Sequence, residues 1–104
     1  MSIDIEWEDE RGERLAHLPD PDYLVMRFLP QVGATGFTCL GFVDPAGDTV
    51  FNQAQITQFV SELERLLSER HAYEPRVRTH LQAVLEFVRQ AIGQAHTYIK
   101  FYGD

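Results

Sequence analysis

One cysteine, Cys39, among 104 residues has no partner for an intramolecular disulfide. The chain therefore shows no oxidative framework, and a reducing cytoplasm is its expected setting. Long apolar runs are missing as well: no uninterrupted stretch exceeds four residues, against the roughly 20 that a membrane-crossing helix needs. A soluble protein with no membrane partner is expected. The opening MSIDIEWEDE carries carboxylates where a secretory leader needs a basic start and an apolar run of about 7–15 residues, so secretion by that route is not expected.

Runs of Lys or Arg are also lacking. Sixteen Asp and Glu against nine Lys and Arg give a formal net charge of −7, a field that repels nucleic acid unless a local basic patch overcomes it. No such patch is present, and nucleic acid is not an expected partner. There is no Gly-rich phosphate loop, no Walker motif and no GxSxG elbow, and Cys39 has no CxxC companion. His71 and His80 stand nine apart across a helix break, outside any HxxxH or HExxH spacing, and His17 and His96 are isolated. Solvated or locally hydrogen-bonded histidines are the simplest account of all four, and neither a metal nor a cofactor is expected.

What the chain does have is apolar content, 44% hydrophobic and 12% aromatic, which suffices for one domain with one core spanning residues 1–104 and separates it from disordered acidic tails. Ile3, Ile5 and Trp7 alternate with Asp4, Glu6 and Glu8, a period of two that defines a half-buried strand with three carboxylates on its outer face. The polar residues 9–12 read as a turn into a shorter strand over residues 13–18. Between Asp20 and Pro30 the cap residue Asp20, Pro21 at a first helical position and one β-branched residue, Val25, favour a short helix, with a strand as the open alternative.

Residues 38–43 are apolar on both faces, as a strand near the middle of a sheet would be. Asp44, Pro45 and Gly47 supply a tight turn with one residue at positive φ, returning through a strand over residues 49–51. Asn52 with Gln55 forms a capping-box pattern, flanked by Phe51 and Ile56 at the staple positions. Ile56, Phe59, Val60, Leu63, Leu66 and Leu67 then give one apolar stripe to about Arg70. A second helix opens on Pro75, buries Val77, Leu81, Val84, Leu85, Val88 and Ile92, and ends at Gly93. Thr97, Ile99 and Phe101 alternate with His96, Tyr98, Lys100 and Tyr102 in a last strand. The expected fold is α+β: an antiparallel or mixed sheet of four to five strands with the two amphipathic helices on one face, leaving the other face free.

Two surface features carry functional expectations. Residues 1–22 hold eight acids against two arginines, whereas residues 74–104 carry a net +1, so the charge is concentrated at one end. Asp4, Glu6 and Glu8 form an acidic strand face suited to a basic protein partner, although a charged edge guarding against aggregation explains them too. His96, Tyr98, Lys100 and Tyr102 share the free sheet face, and tyrosine is enriched at interfaces. Arg76 and Arg78 are expected to pair with the acidic N-terminal hairpin, with anion binding as the alternative. Asp44 and Asp48 are too few for a calcium loop and fit turn chemistry instead, while Cys39, without a basic neighbour, fits a small core residue.

The leading functional expectation is a small acidic interaction module that binds or inhibits a basic protein, in the manner of an immunity or inhibitor protein offering carboxylates where phosphates would lie. A small enzyme or ligand-binding domain using His96, Tyr98 or Tyr102 on the open face is the alternative. Homodimerisation through that face or an exposed edge is a third reading.

Overall fold

A computed structural model describes residues 2–69 and 73–104. The sheet has four antiparallel strands in the order β2-β1-β4-β3. Strands β1 (Ile3–Asp9) and β2 (Arg14–Leu18) form the expected N-terminal hairpin. Its turn is closed by Asp9, whose Oδ1 accepts the N–H groups of Arg11 and Glu13, both at 2.9 Å. Gly12 takes φ +81° there, a left-handed conformation that glycine adopts without a Cβ clash. Strand β4 (Thr97–Gly103) lies between β1 and β3 (Asp48–Phe51), so the two ends of the chain pair at the centre of the sheet.

The capping box at Asn52 forms in both directions. Gln55 N–H donates to Asn52 Oδ1 at 3.1 Å, and Asn52 N–H donates to Gln55 Oε1 at 2.9 Å, satisfying two N-terminal donors of α2 (Gln53–Glu69). Helix α3 (Pro75–Arg89) starts with proline at its first turn, where the missing N–H costs nothing. Their apolar stripes pack against each other and the sheet, and Phe51, Phe59 and Phe101 join β3, α2 and β4 with ring centroids 4.8 to 5.8 Å apart. Ile92 departs from expectation: it lies beyond α3 and is 44% exposed, because the helix has ended and the chain turns toward Gly93 at φ +77°. Arg70 and His71, at the expected end of the first stripe, lie outside the described residues.

The expected strand over residues 38–43 does not form. That stretch is turn and 3-10 helix (Leu40–Phe42), and β3 pairs with β4 instead of returning along it. The reason is a buried carboxylate. Glu62 of α2 is 2% exposed and takes the N–H groups of Cys39 and Leu40, while Gly41 N–H bonds Phe37 O and Gly33 N–H bonds Gly41 O. With its backbone satisfied locally, the segment needs no ladder and still buries Phe37, Cys39, Leu40 and Val43 in the core. The following turn does form, through Ala46 N–H to Asp44 Oδ1 at 2.9 Å. Its glycine, Gly47, is not among the residues at positive φ.

Between Asp20 and Pro30 the helical alternative holds, as a 3-10 turn (Pro21–Tyr23) followed by α1 (Val25–Phe28). Among the described residues no helix is long and apolar enough to cross a membrane.

Candidate functional site

Register decides what the outer sheet face contains. Asp4 stands opposite Tyr102, Glu6 opposite Lys100 and Glu8 opposite Tyr98. Directly opposed residues share a face, so the acidic strand face and the tyrosine face are one surface. Across β4, Asp48 and Val50 extend it from β3, with Val50 49% exposed. The helices lie against the other side, where Ile3, Ile5, Ile99 and Phe101 are buried. His96 does not join the surface as a strand residue. It precedes β4 at φ +62°, and its ring is 3.3 Å from Glu10 at the hairpin turn.

The carboxylates of this face already have partners within the chain. Glu6 receives a two-pronged hydrogen bond from Arg14, at 3.0 and 2.9 Å, and lies 3.4 Å from His17. Glu8 is 7% exposed and accepts the phenolic hydrogen of Tyr102. Burial, together with donation to Glu8, pushes the Tyr102 phenol above its ordinary pKa. Lys100 Nζ stands 4.8 Å from the centre of the Tyr102 ring, in cation–π range. Asp4 turns inward in function: its Oδ1 accepts Asp20 N–H and Ser2 Oγ–H, both at 3.0 Å. The result is a pre-ordered surface of acids, tyrosines and cations.

A cleft lies elsewhere, and none of His96, Tyr98 and Tyr102 lines it. It lies between the Pro21–Leu24 stretch and the first turns of α3, with His80 and Arg76 in its wall. His80 is 7% exposed and its Nε2 has no hydrogen-bond partner among the described residues, which departs from the solvated or locally hydrogen-bonded histidine expected. The nearest carboxylate oxygen, Asp20 Oδ1, is 3.6 Å away, beyond hydrogen-bond reach. Asp20 itself is fully buried at its side chain, accepting Ile3 N–H at 2.9 Å and Val25 N–H at 3.0 Å. Burial holds the His80 imidazole below its ordinary pKa, with the Asp20 charge acting in the opposite sense. At the rim Arg76 pairs with Asp22 at 2.9 Å, a residue beyond the N-terminal hairpin with which the pairing was expected. Arg78 instead donates to Leu67 O.

Cys39 is buried, and burial followed by the nearby Glu62 charge raises its thiol pKa, the reverse of what a nucleophile needs. Sequence reading missed both Glu62 and His80 as buried polar residues. The signal was present: Glu62 falls three residues after Phe59 and four before Leu66, and His80 three after Val77 and four before Val84, so each lies on its helix's apolar stripe. No family model, curated protein or solved structure matches this chain.

Proposed function

We propose that this protein is a non-enzymatic interaction module that docks a basic protein through its outer sheet face. The observation that carries this reading is the register that brings Asp4, Glu6 and Glu8 alongside Tyr98, Lys100 and Tyr102. Asp48 adds a fourth acid, against the cations Arg14 and Lys100, so charge complementarity favours a basic occupant. Tyr102, held by Glu8 and Lys100, loses little side-chain entropy on contact, which suits it as an anchor. An inhibitor that covers a nucleic-acid-binding surface is one form of this activity.

The test uses octa-arginine as a basic probe, followed by backbone NMR shifts. Docking at this face moves the amides of β1, β3 and β4 saturably, fades as salt is raised to about 0.5 M, and weakens in the double variant Glu6→Gln, Asp48→Asn. Shifts centred on Glu64 and Glu86 of the helices instead would contradict the proposal. So would light scattering that shows a dimer with the same face protected from exchange.

A further inference from the structure

The cleft between α3 and the segment leading into α1 has a volume of about 440 Å³, in the range of small-molecule sites. Pro21, Leu24, Pro75 and Ala83 supply apolar wall, and His80, Arg76 and Asp22 supply polar groups. Buried polar atoms are nearly always satisfied, yet His80 Nε2, in a side chain more than nine-tenths buried, has no hydrogen-bond partner among the described residues. A leucine would fill that place without the desolvation cost.

An anion in the cleft is held through Arg76 and a protonated ring, since the Asp20 carboxylate by itself repels one. Asp20, fixed by two backbone N–H groups, holds a negative charge 3.6 Å from Nε2, which stabilises an imidazolium once a second negative charge arrives in the cleft. Arg76 is bonded to Asp22 in a pair whose side chains are 63% and 68% exposed. Exposed pairs of this kind are weak, so the guanidinium is free to exchange Asp22 for a ligand carboxylate. The positive end of the α3 dipole points the same way. From α1 the ring meets Phe28, 6.5 Å away, which adds no opposing charge.

We propose that this cleft binds a small organic carboxylate with an apolar body, its carboxylate held by Arg76 and a protonated His80 backed by Asp20, its body against Leu24 and Ala83. This site is separate from the sheet face and stands or falls independently of it. Three probes of similar size, benzoate, benzyl alcohol and benzylamine, test it by NMR titration. Benzoate is expected to shift the His80 ring and the Arg76 and Ala83 amides saturably, and to bind roughly tenfold or more tighter than the other two. Arg76→Gln and His80→Phe each weaken benzoate binding, while Val50→Ser on the sheet does not. Arg76 is exposed, so its variant keeps the test intact should His80→Phe disturb the fold. Absence of saturable benzoate binding, equal affinity for all three probes, or benzoate binding unchanged in Arg76→Gln overturns the proposal.

Discussion

Glu62 Oε1 accepts the backbone N–H of Leu40 at 2.9 Å. The same carboxylate takes Cys39 N–H at 3.1 Å and the side chains of Thr38 and Gln58 at 3.1 and 2.9 Å. A single helical side chain thus does for this loop what a neighbouring strand does for a sheet: it supplies acceptors for buried amides. Loop and α2 are thereby made to depend on each other.

Replacing Glu62 with Ala leaves the Cys39 and Leu40 donors buried without an acceptor. Each such orphan costs about 1–3 kcal/mol, so a loss of about 3 kcal/mol or more is expected. In a domain of this size that lowers Tm by roughly 12 °C or more. Thermal unfolding followed by circular dichroism measures it, and hydrogen exchange at Leu40 should quicken in parallel. A Tm within a few degrees of the parent would mean that the loop holds itself.

The contrast between residues 3–9 and 38–43 explains what can be read from sequence alone. In the first, side chains alternate with period two, a local property of one strand that needs no knowledge of its partners. Asn52 and Gln55 are equally local, three residues apart, and their cap forms as expected. In the second, the apolar composition of residues 38–43 is shared by central strands and buried loops. The deciding contact comes from Glu62, 22 residues beyond Leu40. The outer sheet face is less local still: Tyr102 reaches Glu8 across 94 residues, so the merging of the two faces follows from register and not from either strand. His80 is buried only because the segment around Asp20 packs onto α3.

His80 predicts an acid-sensitive component of stability. Its pKa in the folded protein lies below the ordinary 6.5 because burial disfavours the charged ring. Below about pH 6.5 the unfolded chain therefore binds a proton that the folded form resists, and stability falls as pH drops from that value toward the lower folded one. Above it the contribution is complete. Denaturant midpoints at about pH 8 and about pH 5 should differ less in His80→Phe than in the parent. Equal differences would remove His80 from the acid response.

His96 predicts a gain. The residue holds φ +62° while 78% exposed at its side chain, a left-handed conformation that costs a non-glycine residue about 1 kcal/mol. Its contact with Glu10 is exposed and weak. His96→Gly is accordingly expected to keep or raise stability, by up to about 1 kcal/mol, after allowance for the greater freedom of glycine in the unfolded chain. Chemical denaturation reads this directly, and a clear loss would give the imidazole a structural role that the geometry does not show.

Tyr102 separates the ordering of the outer face from the docking proposed for it. Its hydroxyl donates to Glu8, a carboxylate 7% exposed, and hydrogen bonds to charged groups contribute about 1.5–3 kcal/mol when buried. Glu8 keeps some access to water, so Tyr102→Phe should cost at the lower end, about 1 to 2 kcal/mol. The ring and its contact with Lys100 survive the change. Glu8→Gln should cost less, because the amide oxygen still accepts from the phenol and no buried charge is left behind. If the two variants lose stability in this order while both keep the octa-arginine response, the Tyr102–Glu8 pair orders the surface and the exposed residues around it make the contact. Loss of stability in neither variant would show that the face is held by its backbone ladder alone.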